Sequence, residues 1–355
     1  MAGAEKIDAG GSPAVARSTG RVISLDRGFP LVGTAAGELR AQHSIDLVKG
    51  LDVRAVVGDV VDLEFPPGQD VPLIVAIHPR RHTLVRRTLV ESRHEGAGKY
   101  EEQVLATNID LVLVVSALSN RPLDTSYLER QLVLAHESGA QVALILTKAD
   151  LARHLEGDCA RARAVAAGSP VIVESAVTGE GLERIRALLT GGKVGVLLGR
   201  SGVGKSTLVN ALLEESLLAT AAVRQKDRAG RHTTVGRRMV FLPHGDEKGG
   251  GSAPGVPLAP APLPAPSAPG AQGIPAPAPS ALIDTPGLRS LGLYDAHVGL
   301  AAAFPDIVAH AAACRYRDCT HTGEPGCAVA AAVEAGTLPA DRLSSYIHIF
   351  AEVND

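Results

Sequence analysis

The run Gly199-Arg200-Ser201-Gly202-Val203-Gly204-Lys205-Ser206-Thr207 has the residue types and spacing of a loop that cradles phosphates. Its glycines let backbone N–H groups curl around oxyanions. Lys205 brings a point charge to the β- and γ-phosphates, and the Ser206 hydroxyl can ligate Mg2+. Asp284-Thr285-Pro286-Gly287 follows the apolar run Ala281-Leu282-Ile283. A carboxylate at that place can hold Mg2+ through water, and the Gly287 N–H can meet a γ-phosphate. Two further segments, Thr147-Lys148-Ala149-Asp150 and Glu174-Ser175-Ala176, suit a base. Only a carboxylate accepts both N1–H and N2–H of guanine, so Asp150 would select GTP over ATP. Lys148 would lay its stem along the ring, and the Ser175-Ala176 backbone would face O6. Each segment alone is also a plain turn or a helix N-cap; together they read as one guanine-nucleotide site. The base-reading segments precede the phosphate loop, which reverses the usual order.

A second cluster, Cys314-x4-Cys319-x-His321-x5-Cys327, gathers three thiols and an imidazole within fourteen residues. That set suits a tetrahedral structural Zn2+ with no open position, a folding element and not a catalytic metal. His310 competes with His321 for the fourth place, and Cys159 reads as a small helix residue. A third group, Arg80, Arg81, Arg86 and Arg87, stands in a stretch from Pro79 to Val90 without an acidic residue. It can neutralise RNA phosphates or serve as a solvated basic linker.

Elements must hold these groups in place. Short β-branched runs between Gly, Pro and Asp turns fill residues 21–95: Arg21 to Leu25, Leu51 to Val57, Val60 to Glu64 and Leu73 to Ile77. They predict a small barrel of OB-like or SH3-like type. Over 100–297, strands (Leu111 to Val115, Val142 to Leu146, Val171 to Val173, Val194 to Leu198) alternate with helices. This predicts a mostly parallel sheet covered on both faces. Residues 249–280 are almost all Ala, Pro, Gly and Ser, and are read as a disordered insertion. Residues 1–20 are expected to lack structure, and 298–355 to form a helical, Zn2+-binding domain.

With 355 residues the chain can bury several cores, and a net charge of −3 gives no global field for nucleic acid. No apolar run has membrane-spanning length and no signal-peptide pattern opens the chain, so a cytoplasmic monomer is expected.

The motifs in this permuted order, with Val57-Gly58-Asp59, Pro79-Arg80-Arg81, Asn108-Ile109-Asp110, Gly230-Arg231-His232-Thr233-Thr234 and Ile283 to Arg289, resemble the RsgA/YjeQ family of circularly permuted GTPases. The resemblance implies an OB-fold, a permuted GTPase domain and a zinc-binding helical domain. It implies action in late maturation of the 30S subunit, with 16S rRNA as partner and GTP hydrolysis stimulated by the subunit. A GTP-dependent RNA-binding checkpoint with incidental turnover is the alternative. Leu288 stands where many GTPases have a water-positioning Gln, so His232 becomes the candidate catalytic group beside Lys205, and Thr234 the candidate switch ligand of Mg2+. The family has Asn where Thr147 stands, which predicts weaker nucleotide binding.

Overall fold

The computed structural model describes residues 16–26, 29–51, 54–90, 99–213, 237–242, 279–285 and 292–354. His232, Thr234, Gly287, Leu288 and nearly all of the 249–280 insertion lie outside these residues.

Strands β1 (Ala16–Asp26), β2 (Phe29–Thr34), β3 (Gly37–Arg40), β4 (Gln42–His43), β5 (Val60–Phe65) and β6 (Leu73–Ile77) build the first unit. β1 pairs antiparallel with β2 and β5, β2 with β3, and β5 with β6. β4, continuing from β3, pairs parallel with β6, so the pairings close on themselves. Alternate residues Val22, Val32, Val61, Leu63 and Ile74 fill its interior. Two expectations change here. β1 begins at Ala16, inside the segment expected to lack structure, because Ala16 to Gly20 pair with Phe65 to Val61. The strand expected from Leu51 to Val57 is instead the end of helix α1 (Ile45–Leu51), followed after the undescribed 52–53 by a turn.

The strands of the second unit run β11 (Val171–Val173), β10 (Gln141–Thr147), β9 (Leu111–Ala117), β12 (Val194–Leu198), β14 (Ala281–Asp284), β13 (Arg238–Phe241), and β13 also pairs antiparallel with β1 at Arg238 and Ser24, joining both units in one sheet. Within the second unit all pairs are parallel except β13 with β14. Both faces are covered, so its strands are continuous apolar runs, as in the fully buried Leu111 to Val115. Val112, Val114, Leu144, Val196 and Ile283 face α2 (Thr125–Glu137), α3 (Leu155–Val165) and the C-terminal helices. Leu113, Val115, Ile145, Leu197 and Leu282 face α4 (Leu182–Leu188) and α5 (Lys205–Leu212).

Between the units lies a hairpin, β7 (Leu84–Val90) with β8 (Lys99–Ala106), which takes up the basic stretch from Arg86 onward. Three of the short motifs meet beside it. Asp59, fully buried, takes a two-pronged ion pair from Arg80 at 2.8 and 2.9 Å. Asn108 donates to Gly58 O at 3.0 Å and accepts from the Arg81 N–H at 2.9 Å. Gly58 has φ +100°, and a Cβ there would lie 2.0 Å from Thr107 O, so only glycine fits.

Helices α6 (His297–Ala303), α7 (Pro305–Ala311), α8 (Ala328–Glu334) and α9 (Ala340–Asn354) close the chain. Leu300, Phe304, Ile307, Val329, Ile349 and Val353 share one continuous core with the sheet face under α2. No helix among the described residues is long and apolar enough to cross a membrane.

Candidate guanine-nucleotide site

Because β9, β10, β11, β12 and β14 run parallel, their C-terminal ends share one edge of the sheet, where ligands of open α/β folds bind. The edge gathers the segments that the sequence scatters from Thr147 to Asp284. β12 leads into the Gly199–Thr207 loop, and α5 starts at Lys205. A Cβ on Gly199 would lie 2.5 Å from Val115 O, while Gly202 and Gly204 have φ of +83° and +103°. The loop therefore needs its glycines for close approach and for left-handed backbone. Lys205 is 7 % exposed, and its Nζ donates to Gly199 O at 2.7 Å and Arg200 O at 3.0 Å. Burial lowers the Lys205 pKa, and Asp284 acts to raise it. The buried ammonium is a charge poised for a phosphate.

Ser206 Oγ stands 3.4 Å from Asp284 Oδ2, which brings both candidate Mg2+ ligands to one point. Burial pushes the Asp284 carboxyl up, against the opposing pull of Lys205 and the Ser206 hydroxyl. A divalent cation there would relieve the cost of the buried carboxylate, so the pair fits the ion. Thr285 is buried, and its hydroxyl donates to Leu197 O at 2.5 Å, fixing where the strand turns.

Thr147 does more than the family comparison of side chains suggests. Its hydroxyl lies 2.5 Å from Val203 O and 3.4 Å from Ser116 O, tying β10 to the phosphate loop and to β9. Lys148, in the left-handed region at φ 61°, donates from Nζ to Gly202 O at 2.7 Å. Asp150 is exposed, and its Oδ1 accepts from Ser175 Oγ at 2.7 Å. The Ser175 N–H is taken by Glu180 O at 3.1 Å, so of the two backbone donors proposed for guanine O6 only that of Ala176 stays available.

Sequence reasoning placed Glu174 and Arg200 in their motifs but missed the contacts each makes at this edge. Glu174 is buried beside Asp150. Arg200 lies 3.7 Å over the Tyr127 ring of α2, and 3.8 Å from the helix N-cap, Asp124. A basic residue at a loop position and an aromatic one turn into a helix carried no spacing signal.

The thiol cluster forms as expected. The ligand atoms of Cys314, Cys319, His321 and Cys327 all lie within 4.8 Å of one another. His321 Nδ1 is 3.7 Å from Cys314 Sγ and 3.5 Å from Cys327 Sγ. Usual Zn–S and Zn–N lengths in a tetrahedron give an S···N edge of about 3.6 Å, so the donor set fits a tetrahedral metal. His321, and not His310, completes it.

The basic stretch is less free than its composition suggests. Arg80 holds Asp59, and Arg87 donates to Glu102 at 2.8 Å and to Tyr294 O at 2.6 Å. Arg86 donates to Gln103 at 3.0 Å, whereas Arg81 is exposed.

Comparison with known proteins now decides the family. Residues 77–248 match the profile of the RsgA GTPase, and residues 194–316 that of a 50S ribosome-binding GTPase. The chain is 42 % identical over 338 residues to the small ribosomal subunit biogenesis GTPase RsgA of Streptomyces avermitilis, covering 94 % of this chain and 79 % of the relative. The chain belongs to the RsgA GTPase family. The RsgA of Methanosarcina acetivorans is 36 % identical over 84 % of this chain and 70 % of its own. The crystal structure of YjeQ from Thermotoga maritima superposes with a TM-score of 0.63 at 21 % identity, covering 95 % of this chain and 99 % of that one. YloQ, a circularly permuted GTPase, superposes with a TM-score of 0.56 at 21 % identity, over 95 % of each chain. The fold is therefore that of the circularly permuted GTPases, and the protein is a GTPase.

Proposed function

We propose that the chain binds GTP with Mg2+ at the edge described above, docks on the small ribosomal subunit during its late maturation, and leaves on hydrolysis. One observation carries this reading. The Thr147 and Lys148 side chains bond directly to the Val203 and Gly202 carbonyls, joining the base-reading strand to the phosphate loop despite their reversed order. The roles of the described residues follow from position, and those of Thr234, Gly287 and His232 from the sequence pattern. Asp150 accepts from the guanine edge, the Ala176 N–H meets O6, and Gly199 to Thr207 wrap the phosphates. Lys205 exchanges its loop carbonyls for phosphate oxygens. Ser206, Asp284 and Thr234 serve Mg2+, the Gly287 N–H meets the γ-phosphate, and His232 orients the attacking water.

We read the first unit as an OB-fold, a reading supported by its closed pairing and by α1 between β4 and β5. Phe29 and Phe65 are exposed on it at 50 % and 36 %. We assign it, with Arg81, to 16S rRNA, where phosphate contacts would give a steep salt dependence. Arg80, Arg86 and Arg87 act there by holding the hairpin and junction that present Arg81. The Cys3His cluster holds one structural Zn2+, and the helical unit around it is the zinc domain. A cytoplasmic monomer fits this role.

Single-turnover GTP hydrolysis with and without isolated small ribosomal subunits tests the proposal, for wild type, Lys205→Ala and His232→Ala. Stimulation in wild type and its loss in both variants is expected. Full stimulated turnover in His232→Ala removes the catalytic assignment, and no stimulation of wild type removes the subunit as partner.

A further inference from the structure

Glu174 precedes Ser175 at the end of β11 and is 1 % exposed. Its backbone is held on both sides: its N–H donates to Leu146 O at 2.8 Å, and its carbonyl accepts from the Ala149 N–H at 3.1 Å. Gly181 closes in behind, so near that a Cβ there would lie 3.2 Å from Glu174 Cα. Within this enclosure Oε1 is buried and has no hydrogen-bond partner. The next residue's hydroxyl is already spent on Asp150. An ionised carboxyl so placed loses its hydration without gaining a donor, and it faces a second carboxylate. Both effects act on Glu174, burial first and Asp150 second, and its carboxyl is pushed up to about 7. Among charged groups on the surrounding segments, Lys148 spends its ammonium on Gly202 O, and Glu180 meets Ser175 through its backbone carbonyl. Asp150 is the neighbour whose charge acts on Glu174.

We infer that Glu174 is a positioning residue of the guanine site: its neutral form leaves Asp150 free to hold the base, and its ionisation weakens guanine-nucleotide binding. This rests on the reading of Asp150 given above. A base seated on Asp150 covers this edge and takes more water from around Glu174, and the nucleotide adds negative charge. Both hold the Glu174 proton more tightly in the complex than in the free protein. Binding therefore takes up a proton. Affinity is full below the free-site value near neutrality and falls as pH rises through it, levelling off above the value in the complex. Each pKa unit of difference between the two states is worth about tenfold in affinity.

Fluorescent GDP titrated into the full chain from about pH 6 to 8.5 tests this, for wild type, Glu174→Gln and Glu174→Met. The terminal phosphate of GDP titrates near pH 6 in all three, so the readout is the ratio of wild-type to variant Kd at each pH. The ratio should stand near one at low pH and rise severalfold, up to about tenfold, at high pH. A role in packing alone would shift every pH equally. Calorimetry at about pH 7.5 in two buffers of different ionisation heat should show proton uptake on GDP binding by wild type. That arm decides the matter should neither variant fold. A constant ratio, or no proton uptake by wild type, overturns the inference while leaving the guanine site intact. Failure of wild type to bind GDP at any pH instead removes the site.

Discussion

Arg342 is where the helical unit grips α2 of the GTPase unit, and its removal should give a large loss of stability. The side chain is 6 % exposed and meets Glu129 of α2, itself 3 % exposed, at 2.6 Å. It also donates twice to Asp306 at 3.0 Å and to Ala303 O at 2.7 Å, with its guanidinium 4.1 Å from the Phe304 ring centre. Arg342→Met would leave Glu129 buried with only the Ser345 hydroxyl as partner. Breaking one side of such a pair costs about 3–5 kcal/mol, whereas replacing both ions by apolar groups is often neutral. With a urea slope of roughly 2 kcal/mol per molar, the midpoint should fall by about 2 M. Glu129→Leu on top of Arg342→Met should recover much of it, with a coupling of at least about 1 kcal/mol. The acid limb gives a second check. Burial pushes Asp306 up, but the hydrogen bonds and charge of Arg342 prevail and hold it below the usual carboxylate range. Its stabilisation is present above the unfolded-state value near 4 and is lost as pH falls through the lower folded value; in Arg342→Met this loss should vanish. Urea and acid titrations followed by circular dichroism measure both. A cost under about 1 kcal/mol, or a double variant no better than the single, would refute the argument.

Two shorter expectations concern the other sites. Thr147→Val removes the hydroxyl that bonds Val203 O. It should lower stability by about 1 kcal/mol, the usual cost of a lost buried hydrogen bond, and weaken GDP binding by loosening the phosphate loop; equal affinity would show the bond to be incidental to binding. Chelation at neutral pH, or Cys319→Ser, should release one metal ion per chain and loosen α8 and α9 to proteolysis, since the proposed Zn2+ would tie together the four clustered ligands that flank these helices. A metal content near zero in freshly purified protein would contradict it.

How much of this was legible in the sequence depends on the range of the interaction. The apolar runs Leu111 to Val115 and Val194 to Leu198 marked β9 and β12 within two residues, since both faces of each strand are buried. Glycine spacing marked the phosphate loop because left-handed backbone leaves few alternatives. Leu51 to Val57 misled because β-branched residues in a buried turn look like a strand. The pairing within the Arg80 to Arg87 stretch was hidden for a different reason. Its partners Asp59, Glu102 and Asp295 come from other parts of the chain, so the local absence of acids says nothing about pairing. The contacts of Glu174 with Asp150 and of Arg200 with Tyr127 were invisible for the same cause.

These long-range contacts also suggest how nucleotide state is passed on. Arg200 of the phosphate loop sits on Tyr127 in the first turn of α2, and within one further turn Glu129 and Arg130 hold Arg342 and Glu352 of the helical unit. A movement of the loop would be felt along one rigid helix.

The central claim is that segments in reversed order form one guanine-reading site with Asp150 as its selector. Nucleotide competition by Asp150→Asn tests it most directly. An amide in place of the carboxylate pairs with the xanthine edge, which offers a donor and an acceptor, and sets its own N–H against one of the two guanine donors. The variant should lose GDP affinity by about a hundredfold, from a charge-assisted pair worth 1.5–3 kcal/mol, and should gain affinity for xanthosine diphosphate. Unchanged preference for GDP would contradict the account.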